Sequence, residues 1–294
     1  MENISEKIPP DMSLQHYLQM AYKEVHLTSE AELSMMQHLN GTLQSDRENL
    51  ILVYGGSFNP PHRGHIDVLL SGLRPEIAAV AIVILPSEDF HLRNKVANSH
   101  PDFFLHQKRR ADIWNAIPSI PRARVWVWTS TWYPFKPFTE ALVRSTKADG
   151  FNLAFSHLIG PDNLNPRDPL MILPYELPRV LVTNKARQVA AQFLPDGKPA
   201  MWNGFGEWSR LMHDYGHGLD DRGVGQAEVV LWTCTGVGDR RGYYLQYSKP
   251  VSADINSTNL RRALIQNHLL DEASLNQLST KALLKLLAPI LQGN

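Results

Sequence analysis

The chain has a single cysteine, Cys234, in 294 residues. A lone thiol excludes an internal disulfide framework and fits a reducing compartment. It also excludes zinc sites built from several thiolates. Neither sign of charge is in excess, because 29 Lys and Arg balance 29 Asp and Glu. Nucleic-acid backbones are bound by neutralising phosphates, so this balance argues against a nucleic-acid partner. Local basic clusters for small anionic ligands remain open. The longest apolar run, "IAAVAIVIL" at 77–85, is too short to span a bilayer. The start, "MENISEKIPPDM", is acidic and lacks the basic-then-apolar order of a secretory signal. Repeats and low-complexity tracts are absent. These absences lead to the expectation of an intracellular protein, cytoplasmic or nuclear, with no membrane partner.

What is present is an alternation of apolar strands and helices. "NLILVYGG", "VAIVILP", "RVWVWTST", "LAFSHLIG" and "PRVLVTN" read as strands, with "VVLWTC" and "GYYLQYS" following. "HIDVLLSGL", "HQKRRADIWNAI" and "FTEALVRS" read as helices between them. Very apolar strands separated by helices predict an α/β fold with a doubly wound, mostly parallel sheet covered on both faces. Residues 1–47 read as a helical N-terminal extension, 48–267 as the main domain and 268–294 as a C-terminal helical segment. In the extension, "SEAELSMMQHL" opens with Ser29 and has Glu32 three residues on, a capping-box pattern. Leu33, Met36 and Leu39 then share one face. Trp126 and Trp128 share a strand face and read as core.

An insertion at about 195–226 breaks the rhythm with glycine, aromatics and histidine. A segment this long is either a surface insertion or a lid over a substrate. His213 and His217 lie in it near several aspartates. Gly216 between them and the lack of an HExxH pattern leave no defined metal site.

The strand exit "YGGSFNPPHRGH" at 54–65 carries the strongest chemistry. Gly55 and Gly56 let backbone N–H groups approach a phosphate. Pro60 and Pro61 stiffen the loop and remove two donors. A helix predicted to begin near His65 adds the positive end of its dipole. His62 and His65 then supply two imidazole donors that could hold a triphosphate and stabilise charge growing on it. In parallel sheets such sites lie at the carboxyl ends of strands.

"GGSFNPPHRGH" resembles the HxGH signature of the nucleotidylyltransferase superfamily, and most of all nicotinamide/nicotinate mononucleotide adenylyltransferases. A second match is "INSTNLRR" at 255–262, which is similar to the family's ISSTxxR motif except at Asn256. The resemblance covers about residues 48–185 and 227–267. It implies a Rossmann-like domain that transfers AMP from ATP to a phosphorylated acceptor, nicotinamide or nicotinate mononucleotide, with pyrophosphate leaving. His62, His65 and Arg261 are then the catalytic residues. Gly55, Gly56, Ser57 and Phe58 give backbone contacts, and Ser257 and Thr258 join Arg261 on the departing phosphates. "LIGPDNL" resembles the family's GxD stretch, which places Asp162 at the ribose or the metal. "PSEDFHLRNK" resembles the loop after the second strand, ending in Lys95. "PFTEAL" resembles an aromatic-Thr helix start whose backbone holds the pyridine ring in the family, which puts Phe138 and Thr139 in the substrate loop, with Trp132, Tyr133 and Phe138 as stacking surface. Mg²⁺ is the implied cofactor, held mainly by ATP phosphates. A homo-oligomer is compatible with the resemblance.

The pattern departs in one place. Relatives using pyridine nucleotides usually carry a ring-stacking tryptophan after the GxD stretch, and "GPDNLNPRDPLMILP" has none. Trp202 or Trp208 of the insertion is the available substitute. Other readings stay open: another phosphorylated acceptor, as in phosphopantetheine adenylyltransferases or cytidylyltransferases, with CTP in the latter. A non-catalytic nucleotide-binding protein and a scaffold using its N-terminal arm are the further alternatives.

Overall fold

The computed structural model describes residues 11–27, 29–96, 104–171, 177–211, 229–249 and Lys285. The chain opens with β1 (Asp11–Ser13), α1 (Leu14–Glu24), α2 (Glu30–Met36) and β2 (Thr42–Gln44). It continues through β3 (Glu48–Gly56), α3 (Arg63–Gly72), β4 (Ala79–Pro86), α4 (Asp89–Val96), α5 (Gln107–Ala116) and β5 (Val125–Val127). Then come α6 (Phe135–Ala148), β6 (Asn152–Ile159), β7 (Arg179–Thr183), β8 (Ser209–Leu211), β9 (Val229–Thr235) and β10 (Arg241–Tyr247). Eight strands form one sheet in the order β5-β4-β3-β6-β7-β10-β9-β8. The first six in that order run parallel, while β9 and then β8 are added through antiparallel pairs. The fold is α/β, doubly wound and Rossmann-like. Among the described residues no helix is long and apolar enough to cross a membrane.

Side-chain alternation explains why β3 lacks a polar face. Leu50, Leu52 and Tyr54 pack with α3 and α5 on one side. Ile51 and Val53 pack with α1, α2 and α6 on the other. Successive side chains point to opposite faces, so a strand covered twice must be apolar throughout. The N-terminal helices are part of that second layer: Tyr17, Leu18 and Tyr22 are fully buried. Tyr17 also donates to Asp149 Oδ2 at 2.6 Å.

The described half of the insertion continues the same layer. Trp202 and Phe205 pack on Val180, Val182, Cys234 and Tyr244. At Gly242 an added Cβ would stand 2.6 Å from Trp202 Cζ3 and 2.7 Å from Cys234 Sγ, so the glycine makes the seat for that indole. Burial pushes the Cys234 thiol up to about 12. Residues 195–211 thus close the sheet where α1 and α6 stop covering it. His213 and His217 lie outside the described residues.

Three local expectations change. The stretch read as a loop after the second strand contains α4, beginning at Asp89. The third strand is only Val125–Val127, since the chain leaves the ladder after Trp128 N–H meets the Ile84 carbonyl at 2.9 Å. Ser29 does cap α2 through the Glu32 N–H at 3.4 Å, but the Glu32 side chain goes to Thr129 and Ser130 instead.

Candidate functional site

From β3 the chain crosses by α3 to β4 on one side and later returns by α6 to β6 on the other. The order reverses between β3 and β6, and a crevice opens outside their carboxyl ends. The histidine loop leaves β3 at that point, and the Gly160–Asn163 turn leaves β6 beside it.

Helix α3 starts earlier than the sequence indicates. Arg63 is its first residue, His62 is the N-cap with φ −144° and ψ 173°, and His65 is the third helical position. Helix N-termini leave backbone N–H groups without intrahelical partners. Here His62 and His65 form a reciprocal capping box. The His62 backbone N–H donates to His65 Nδ1 at 3.2 Å. The two rings stack with centroids 3.6 Å apart and planes 24° from parallel. A neutral imidazole that accepts through Nδ1 carries its proton on Nε2. The backbone therefore selects the His65 tautomer.

Gly64 permits the stack. A Cβ there would lie 3.2 Å from the His62 ring and 3.4 Å from Ala186 Cβ, in the loop after β7. Gly56 has a second reason besides ligand approach. Its Cβ would meet Phe58 Cε1 and Cζ at 2.8 Å, because Phe58 folds back over it. Phe58 holds a φ of +47°, uncommon for a side chain of its size. Its ring is buried and sits edge-on to Tyr54, His65 and Trp114, each at 5.1 Å. That packing holds a backbone conformation that would otherwise cost about 1 kcal/mol or more. The Asn59–Pro60 bond is cis.

A buried arginine ties this loop to the next one. Arg110 is fully buried on α5. It donates to the carbonyls of Leu105 at 2.8 Å, Ser57 at 2.7 Å and Ser87 at 2.6 Å, and to Asp89 Oδ1 at 3.0 Å. Burial pulls the guanidinium down, while the hydrogen bond and charge of Asp89 oppose that. Burial also pushes Asp89 up. Hydrogen bonds from His106, the Gln107 N–H and Arg110 outweigh it and hold the carboxyl below its ordinary range.

Along α3, Asp67 is buried and pairs with Arg63 at 2.8 Å. Burial raises its carboxyl, and Arg63 and Lys185 offset part of the rise. Lys185 follows β7, with its ammonium 4.5 Å above the Tyr247 ring. Burial lowers it, and the Asp67 charge acts the other way.

Beyond the carboxyl end of β4 stands an aromatic cluster. Trp132 stacks on His91 at 4.8 Å and 21°. Its backbone N–H donates to Glu88 Oε1 at 2.8 Å and its indole N–H to the Pro86 carbonyl at 3.3 Å. Phe90 and Tyr133 are exposed nearby in sequence.

The structure thus gathers Gly55, Gly56, Ser57, Phe58, His62 and His65 at the end of β3. Asp162 sits exposed at the end of β6. Burial first, then the charges of Asp162 and Asp67, hold the Tyr54 phenol well above its ordinary value. Lys95 falls on the last turn of α4. Ser257, Thr258 and Arg261 lie outside the described residues.

Two expectations about ring contacts are corrected. Phe138 is fully buried against Trp128 and Tyr22, so its ring belongs to the core and offers no surface to a ligand. The helix begins at Phe135, which puts Phe138 and Thr139 a turn inside it. The Thr139 hydroxyl donates to the Lys136 carbonyl at 2.8 Å. Trp202 does not replace a stacking tryptophan, since it is buried on Gly242; Trp208 packs on it at 4.7 Å and donates to the Ala200 carbonyl.

Arg110, Glu88 and Lys185 are not singled out by the sequence, and Glu32 only as a capping residue. One signal for Arg110 existed. It shares the spacing of Ile113, Trp114 and Ile117, the buried face of α5, where a cation needs fixed acceptors.

No protein-family model matches the chain, and no curated protein matches it in sequence. Among solved structures it is similar to Plasmodium falciparum nicotinic acid mononucleotide adenylyltransferase complexed with NaAD. Identity is 14% and the TM-score 0.31, over 46% of this chain and 64% of that one, less than two thirds of the Plasmodium protein's length. It is also similar to a Vibrio parahaemolyticus protein provisionally described as a nicotinate-nucleotide adenylyltransferase. There identity is 15% and the TM-score 0.31, over 77% of this chain and 92% of that one.

Proposed function

We propose that the chain is a nucleotidylyltransferase that moves AMP from ATP to nicotinate or nicotinamide mononucleotide. The single observation that carries this reading is the His62–His65 pair. Two imidazoles stack on the N-terminus of α3 at the reversal point of a parallel sheet, with the His65 tautomer set by the backbone.

The chemistry follows from positioning and charge neutralisation. The acceptor phosphate oxygen attacks the α-phosphorus of ATP in line. The bond from that phosphorus to the bridging oxygen breaks, and pyrophosphate leaves with the electron pair. The Nε2–H of His65 donates to a phosphate oxygen, and His62 and the α3 N-terminus stabilise the charge that gathers there. Arg261, Ser257 and Thr258 hold the departing phosphates, a role that rests on the motif they form. The Trp132 face receives the planar base of the acceptor.

Mg²⁺ would neutralise charge shared between the phosphates. Among the described residues no group of three His, Cys, Asp or Glu side chains could hold an ion. A metal carried by phosphates and water would have the exposed Asp162 carboxylate, at the end of β6 on the crevice side of the sheet, as a candidate partner.

The test is direct. Purified protein, ATP, Mg²⁺ and either mononucleotide should yield pyrophosphate and a dinucleotide. A panel of phosphorylated acceptors with ATP and CTP, read by mass spectrometry, identifies the pair used. Turnover in that panel only with CTP, or with no pyridine nucleotide, would overturn this acceptor and nucleotide.

A further inference from the structure

A carboxylate from the N-terminal arm reaches the loop that carries Trp132. Glu32 lies on α2 and is fully buried. Its neighbours on that face, Met36 and Leu39, are apolar core. A carboxylate at such a position is costly unless it meets fixed donors. It meets three. Glu32 Oε1 accepts from Thr129 N–H at 2.8 Å, Thr129 Oγ1–H at 2.5 Å and Ser130 N–H at 2.5 Å.

Those two amides are the first beyond the sheet ladder, which ends at Trp128. The loop they begin runs to Trp132, whose own N–H is held by Glu88. Gln107 holds the Ser130 carbonyl at 3.3 Å and the Pro86 carbonyl at 3.2 Å. The Trp128 indole holds the Thr131 carbonyl at 3.0 Å. Glu32 is the arm's contribution to this set, and it takes both orphan amides at once. The arm itself is anchored by α1 on α6, through Tyr17 to Asp149 and the Arg144–Glu24 ion pair.

We propose that Glu32 is a positioning residue: through Thr129 and Ser130 it sets the place of Trp132, and with it the fit of the acceptor's base. The catalytic consequence rests on the nucleotidyl-transfer reading; the positioning of Trp132 does not. Without Glu32 two half-buried amides lose their acceptor, and the loop moves to find water. A shift of about 1 Å on the acceptor side is enough to change turnover by an order of magnitude or more.

The experiment compares wild type, Glu32→Ala and Glu32→Gln by hydroxyl-radical footprinting and by steady-state kinetics. In Glu32→Ala, labelling of Trp132 should rise severalfold while Trp126 and Trp128 stay protected. The KM for nicotinate mononucleotide should rise about tenfold, with the KM for ATP within about twofold. Glu32→Gln keeps one oxygen acceptor and should restore most of both. Unchanged Trp132 labelling would overturn the proposal. So would a rise at all three tryptophans together, or equal changes in both KM values, because a merely structural glutamate predicts those. A wild type that makes no dinucleotide sinks the transfer reading alone, and the footprint then decides the role of Glu32.

Discussion

His62 gives its backbone N–H to the ring of His65, and the two imidazoles lie stacked at 3.6 Å. The same contact that caps α3 therefore orients the proposed donor. This makes His65 a residue with two separable roles. His65→Ala should lower dinucleotide formation about 100-fold or more, as loss of a preorganised donor to developing charge does. Its cost in stability should be only about 1 kcal/mol, the worth of a cap. Pyrophosphate release and thermal melting, measured on the same preparation, check both. An unchanged rate would remove the catalytic role and leave the cap.

Arg110 predicts the reverse balance. It joins the Ser57 loop to the Ser87 and Asp89 loop from a fully buried position. Arg110→Ala takes a donor from three carbonyls and from the Asp89 carboxylate, which keeps the Gln107 N–H and His106. The expected loss is about 3 kcal/mol or more in chemical unfolding. Arg110→Lys reaches fewer of these acceptors and should recover only part of it, because the planar fork cannot be copied by one ammonium. A lysine variant as stable as wild type would show that the fork is dispensable.

The sheet and the histidine loop were legible in the sequence because each rests on a local signal. Apolar strands between helices gave the doubly wound order, and two glycines with two histidines marked its reversal point. The direction of a side chain across the fold leaves no such trace. Phe138 and Trp132 are both aromatics near one helix start, yet one fills the core and the other is half-buried and stacked on His91. Glu32 matches a capping box in spacing. A tertiary partner, the pair of amides after β5, outbids the local one. The helix α4 was missed because polar residues dominate it, leaving little apolar periodicity to read. At Gly56 the ring of Phe58, two residues on, requires a glycine independently of any ligand.

Asp89 gives the pH dependence its sign. Its carboxyl is held below the ordinary 3.8 in the folded chain by His106, the Gln107 N–H and Arg110, against the opposing effect of burial. The unfolded chain therefore binds more protons in that range, and stability rises with pH there. The contribution is fully present above 3.8 and is lost as pH falls through the lower folded value. Asp89→Asn should melt lower than wild type at neutral pH and show a shallower fall in acid. Melting curves of both proteins from pH 7 to pH 2 check it. Parallel curves would mean that another carboxylate governs acid unfolding.

Gly64 offers the sharpest separation of stability from function. It lies in the first turn of α3, where alanine is intrinsically better by about 1 kcal/mol. Its φ is not in the left-handed region, so a side chain brings no backbone strain. The added Cβ would nevertheless stand 3.2 Å from the His62 ring and 3.4 Å from Ala186. Something must give by a few tenths of an ångström, and the His62 ring, stacked on His65, is the nearest group. Gly64→Ala should therefore melt no lower than wild type, yet form dinucleotide about tenfold more slowly, because the His62–His65 stack is displaced. Differential scanning calorimetry and the pyrophosphate assay on one preparation decide it. If the variant is as fast as wild type, the close ring packing is irrelevant to turnover. If it is slow and also unstable, the damage lies in the α3 seat and not in the histidines.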